Sequence, residues 1–169
     1  LWDGSLNLLR DGGTGTYRDG PDALRSTAGH NTIAFDGAEQ MPRVGRFLLA
    51  RWPRCRALPD GAAIRDHAGR THQRRIRVDG RTWTIEDRVR GPFATLALRW
   101  RLAPLPWRIT EDGVDGAAAR IVVAADAPLA IALRPGIESL AYGSVSAAPV
   151  VEVRAGAPVS RLVTTVLLP

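Results

Sequence analysis

Apolar and polar residues alternate with period two through most of this chain. No stretch keeps the 3.6-residue period of an amphipathic helix convincingly. The clearest case is Arg75-Ile76-Arg77-Val78, then Asp79-Gly80, then Arg81-Thr82-Trp83-Thr84-Ile85. An Asp-Gly pair between alternating runs suits a tight hairpin turn whose central residues need positive φ. Such a chain has to bury one face of each strand, and sheets stacked against each other do that.

Other segments repeat the pattern. Leu6 and Leu8 alternate with Asn7, and Ile33 and Phe35 form a short apolar strand. Residues 46–58 read as one long strand with Pro53 as a bend or bulge, and residues 62–67 as its short return. Residues 94–102 place Leu96, Leu98, Trp100 and Leu102 on one face and Ala97, Arg99 and Arg101 on the other. Trp107 to Thr110, Arg120 to Ala125, Leu129 to Leu133, Val150 to Val153 and Arg161 to Leu168 complete the set. Within 115–125, Ile121-Val122-Val123 favours a strand over a helix. The 12 Pro and 17 Gly punctuate these runs at short intervals. The expected fold is all-β: an antiparallel, two-sheet β-sandwich forming a single domain over residues 1–169.

Composition narrows the functional classes. No apolar run reaches the ~18 residues that a membrane helix needs, and no basic-then-apolar leader is visible. Cys55 is the only cysteine, so internal disulfides and cysteine-rich zinc modules are excluded. Its place in an alternating run predicts a half-buried, inert thiol. The formal net charge is +6, and all 23 basic residues are Arg. Guanidinium forks bind carboxylates and sulfates with two hydrogen bonds at once. A basic surface also attracts nucleic acid. Here the charge is interleaved along strands, as on a solvated sheet face, and no nucleic-acid or membrane partner is expected.

The densest run of chemically able residues is 9–40. A glycine-rich turn opens on Asp11, and His30-Asn31-Thr32 leads into the Ile33 strand. Gly12-Gly13-Thr14-Gly15 lacks the Lys-Ser/Thr ending of a phosphate loop and no helix pattern follows it. Its glycines permit positive φ in a tight turn. Ser26 is flanked by Arg25 and Thr27, unlike the glycine-flanked elbow of a hydrolase serine, and is rejected as a nucleophile. Asp11 and His30 are candidate metal ligands. The competing reading is that Asp11 caps its turn and His30 bonds a backbone carbonyl. Arg25, Tyr17 and Asn31 are candidates for a sugar-binding edge, with Arg25 facing a carboxylate or sulfate. His67 and His72 read as exposed loop histidines. Trp52, Trp83, Trp100 and Trp107 are the tryptophans considered for sugar stacking. Trp100 fits its strand's apolar face as core, which leaves Trp107 as the best exposed candidate.

These residues resemble one family, the heparinase II/III-like polysaccharide lyases, in their C-terminal β-sheet domain. The first block is Asp11-Gly12-Gly13-Thr14-Gly15-Thr16-Tyr17, matching Asp-x-Gly-Thr-x-x-Tyr. The second is Arg25, Thr27, His30, Asn31 and Thr32, followed by Asp36, Gly37 and Gln40. Looser matches are His72, the segment Ile85 to Gly91, Arg99 to Pro104, and Glu138-Ser139 before Tyr142-Gly143.

The resemblance implies β-elimination on a uronic-acid-containing polysaccharide, in a periplasmic or secreted setting. One group neutralises the uronate carboxylate, a base removes the C5 proton and an acid protonates the leaving oxygen. In that family a helical toroid N-terminal to the β domain supplies the tyrosine. An upstream His-x-His-x-x-Asp segment supplies a further ligand to a structural zinc. Neither is in this sequence, so the chain reads as an excised domain, inactive alone. Its partners would be the toroid and an acidic polysaccharide, and Asp11 and His30 would form an incomplete zinc site. The alternatives are a non-catalytic carbohydrate-binding or structural β-sandwich and an arginine-driven nucleic-acid binder.

Overall fold

In a computed structural model, which describes residues 1–16, 22–45 and 48–169, antiparallel strands dominate. In chain order they are β1 (Trp2–Asp3), β2 (Leu6–Asn7), β3 (Ile33–Phe35), β4 (Arg54–Leu58), β5 (Gly61–Arg65) and β6 (Thr71–Asp79). Then come β7 (Thr82–Arg90), β8 (Thr95–Arg101), β9 (Trp107–Ile109), β10 (Gly113–Gly116) and β11 (Ala119–Ala125). The last are β12 (Leu129–Arg134), β13 (Ile137–Glu138), β14 (Ser146–Ala147), β15 (Val150–Gly156) and β16 (Arg161–Leu167). Among the described residues, helix is confined to α1 (Asp22–Arg25) and a 3-10 turn, Thr27–Gly29.

The strands form an eight-stranded sheet in the order β4-β5-β6-β7-β16-β11-β10-β9 and a four-stranded sheet in the order β12-β15-β8-β3. Two ribbons, β1-β2 and β13-β14, complete the set. The all-β antiparallel expectation holds, with unequal main sheets and the added ribbons as refinements. Leu96, Leu98, Trp100 and Leu102 are buried together, as their alternation requires. They share one core with Val151 and Val153 of β15 and with Ile85, Val89, Ile121, Leu162 and Val166 of the larger sheet. Trp100 Nε1 reaches across that core to donate to Thr164 Oγ1 at 3.0 Å. Because β11 pairs with β16 and β12 with β15, the Asp126-Ala127-Pro128 turn carries the chain from one main sheet to the other.

Local corrections have physical causes. The β6-β7 hairpin pairs Asp79 with Thr82, so the central turn residues are Gly80 and Arg81, and only Gly80 has positive φ, at 55°. That suits a turn with glycine at the first central position. The expected long strand shrinks to Arg54–Leu58. Arg51 sits at φ 54° and Pro53 has no N–H to pair, which stops the ladder; residues 46 and 47 lie outside the described set. Cys55 is exposed, not half-buried, because β4 is the edge strand and Cys55 lies on a wing beyond the smaller sheet.

Candidate functional site

Two successive loops between β2 and β3 meet at one end of the smaller sheet. The first, residues 11–15, turns at Gly13 (φ 71°) and Gly15 (φ 76°). Gly13 lies so close to Ser139 that a Cβ there would stand 2.1 Å from the Ser139 carbonyl oxygen. Only glycine fits, and the loop is tied to β13 by Ser139 N donating to Gly12 O at 2.8 Å. The second loop runs from α1 through the 3-10 turn into β3. Gly12 N donates to Gly29 O at 2.9 Å and joins the two.

That junction sets Asp11 against His30. His30 Nδ1 and Asp11 Oδ2 are 2.7 Å apart, and Asp11 Oδ1 accepts from Gly13 N at 2.9 Å. Both side chains are about half exposed. The hydrogen bond to His30 is the main cause holding the Asp11 carboxyl below the usual carboxylate range. The same bond raises His30 above the ordinary imidazole range, against the opposing effect of burial. Asp11 therefore caps its turn with one oxygen and faces the imidazole with the other. His30 bonds the carboxylate through its side chain, not a backbone carbonyl.

The rest of the second block works as a clasp. Glu39 Oε2 accepts from Thr27 N at 2.7 Å and from Thr27 Oγ1 at 2.8 Å. Gln40 Nε2 donates to Thr32 Oγ1 and to Ile33 O, both at 3.0 Å. Asn31 brackets two backbones: its Nδ2 donates to Arg10 O at 2.9 Å, and its Oδ1 accepts from Arg101 N at 2.7 Å. Arg25 ends α1, is partly buried, and offers its carbonyl to Arg43 Nη2 at 3.2 Å. Tyr17 lies outside the described residues.

Below the clasp is a buried ionic cluster. Asp87 is fully buried on β7 and accepts from Arg74 Nε at 2.7 Å and Nη2 at 3.0 Å. It also pairs with His72 Nε2 at 2.6 Å. Burial pushes the Asp87 carboxyl up, but the Arg74 charge and the His72 bond outweigh that and hold it below the ordinary range. Arg74 Nη1 donates to Asn31 O at 2.6 Å, and its guanidinium lies 4.4 Å from the Trp100 ring centre. The cluster thus props the loop that carries His30. His72, expected in an exposed loop, is 5% exposed on β6, because its strand lies inside the eight-stranded sheet and its face turns inward. His67 is exposed as expected. A second buried pair, Arg10 Nε and Glu138 Oε2 at 2.9 Å, lies behind the Asp11 loop. Trp107 is also corrected: it is half-buried, packs on the core, and its Nε1 donates to Ala103 O at 3.0 Å.

The metal fit is partial. Carboxylate and imidazole are zinc ligand types, and two donors each about 2 Å from one ion would stand roughly 3 Å apart. The Asp11–His30 spacing is near that. No group of three or more His, Cys, Asp or Glu suited to a metal occurs among the described residues. The pair is two donors of the three or four that a zinc site uses.

The model of the family "Heparinase II/III-like, C-terminal" matches residues 1–150. Among solved structures, a heparinase III (the BT4657 gene product) aligns over 95% of this chain with TM-score 0.73 at 14% identity. The heparan sulfate lyase HepC from Pedobacter heparinus aligns over 96% with TM-score 0.66 at 16% identity. A further heparinase III aligns over 96% with TM-score 0.64 at 18% identity. The chain spans 28% of each of those proteins. At such identities the likeness establishes the fold. No curated protein matches the sequence.

Proposed function

The chain belongs to the heparinase II/III-like C-terminal family, and from that premise we propose that it is the β domain of a polysaccharide lyase acting by β-elimination on a uronic-acid-containing polysaccharide. The observation that carries the reading is the Asp11–His30 pair, 2.7 Å apart on two successive loops between β2 and β3. In this reading Asp11 and His30 are two ligands of a shared zinc. Bound there, zinc would supply fixed positive charge and a cross-link between the two loops. The third ligand comes from the upstream His-x-His-x-x-Asp segment, and the proton-transferring tyrosine and the other wall of the cleft come from an N-terminal helical toroid. Arg25, which ends α1 in the second block, is the candidate to meet a uronate carboxylate or sulfate. Asn31 contributes by holding His30's loop against Arg10 and Arg101. Alone, this chain produces no unsaturated uronate ends from a polyuronate.

Zinc-edge X-ray absorption on the zinc-loaded protein tests the metal assignment. The expected shell contains an imidazole nitrogen at about 2.0–2.1 Å and a carboxylate oxygen at about 2.0–2.2 Å, completed by water. The nitrogen contribution disappears in His30→Ala. A shell that is unchanged in that variant overturns the assignment.

A further inference from the structure

The outward face of the four-stranded sheet carries two open clefts with no role in the metal pair. The first, about 400 Å³, is lined by Arg99, Arg101, Arg134 and Glu152 above an apolar floor that includes Leu24 and Val150. The second, about 510 Å³, takes in Arg99 again and Arg154, with Ala97 and Ala130 on either side of Arg154. Thr95, Ala97, Arg99 and Arg101 follow one another along one side of β8, so the clefts are consecutive. At 3.3–3.4 Å rise per residue that side of β8 is about 20 Å long.

The charge along this groove is one-sided. Among the described residues its linings hold four arginines and one carboxylate, Glu152. Glu152 is 8% exposed and is already engaged: Arg99 reaches its Oε2 with Nε at 3.1 Å and Nη2 at 2.8 Å, and Arg154 Nε reaches Oε1 at 2.9 Å. Arg134 stands 4.0 Å from the same carboxylate. One acid fixes the arginines in place without balancing their charge. The Arg134 and Arg154 side chains stay more than half exposed. Arg101 is buried, its Nη1 and Nη2 donate to the carbonyls of Ala28 and Ile137, and its Nε has no hydrogen-bond partner among the described residues.

The geometry points to an extended anion-binding groove for an acidic oligosaccharide, carboxylated or sulfated, running along β8 away from the Asp11–His30 loops. Planar guanidinium forks suit carboxylate and sulfate groups. The small residues on either side of Arg154, Ala97 and Ala130, leave room for sugar rings to lie on the sheet. Among the described residues no aromatic side chain lines either cleft, so they offer none of the stacking platform that single-stranded nucleic acid uses. The ligand class accords with the lyase reading above, but the groove does not need the metal.

Calorimetry with a galacturonic acid hexamer, a sulfated maltohexaose, neutral maltohexaose and oligothymidylate, all in excess chelator at low salt, tests the groove. At least one acidic hexamer is expected to bind, and maltohexaose is not. Replacing Arg134 and Arg154 together by Ala weakens that binding about tenfold, the loss of one to two exposed charge-assisted contacts. Ala130→Glu, which sets a carboxylate opposite Arg154 on an exposed strand position, weakens it comparably. Acidic-hexamer binding that neither variant changes, or that needs metal, overturns the groove. Tighter binding of oligothymidylate overturns the saccharide assignment. The X-ray absorption result is independent of all these outcomes, so the two readings fail separately.

Discussion

Asp87→Ala is expected to destabilise the fold by about 3–5 kcal/mol, the cost of stripping one partner from a buried ionic cluster. The residue is fully buried and holds Arg74 through two hydrogen bonds and His72 through a third. Its removal leaves the Arg74 guanidinium, 18% exposed, facing an apolar gap beside Trp100. Total stabilities of 5–15 kcal/mol make that a large fraction. Urea unfolding measures it. Asp112→Ala, which removes an exposed partner of Arg120, is the control and should cost far less, because solvent screens that pair. Equal losses in the two variants would remove the cluster from the account.

The same carboxylate gives a pH dependence with a definite sign. Asp87 is held below its ordinary range in the folded protein. A depressed carboxyl binds fewer protons folded than unfolded, so its stabilisation is complete above the ordinary carboxylate range. It is lost as pH falls through the folded value. Unfolding measured from neutral to acid pH should show wild type losing stability, and Asp87→Ala should lose less over the same range.

Leu98→Ala is the second large effect, at about 2–5 kcal/mol. Leu98 has no exposed surface and pairs with Ile33 on one side and Val153 on the other, at the centre of the smaller sheet. Close-packed neighbours relax only partly around a deleted side chain, so the lost transfer energy and the residual cavity add. Because Ile33 follows His30-Asn31-Thr32 directly, the cavity opens under the candidate site. Urea unfolding of Leu98→Ala beside an exposed control, Leu48→Ala, separates core loss from generic substitution. A loss below about 1 kcal/mol would contradict the packing described.

Strand content was legible because each strand declares its buried face locally. The run Leu96, Leu98, Trp100, Leu102 did so through period two alone, and Trp100 was placed in the core for that reason. His72 was not, since its burial depends on β5 and β7 closing over β6 and on Asp87, fifteen residues away, arriving on the same face. Cys55 went the other way, because alternation cannot say which strand lies on an open edge. Asp11 and His30 stand out in the sequence as candidate partners, and the structure brings them together. Asn31 looks like ligand chemistry in sequence, yet its partners Arg10 and Arg101 are backbone groups 21 and 70 residues distant. Glu39 and Arg74, which hold the same loop, carried no local signal beyond proximity to the block or membership of a basic strand. The four arginines of the outer groove belong to three strands that only the sheet order β12-β15-β8 brings side by side.

Zinc titration by calorimetry, on wild type and on His30→Ala, bears most directly on the claim that Asp11 and His30 form part of a metal site. Two protein ligands should bind zinc measurably but well short of the roughly 10–16 kcal/mol of a complete structural site. That weak binding should vanish in His30→Ala. No binding to wild type, or equal binding to the variant, would contradict the account.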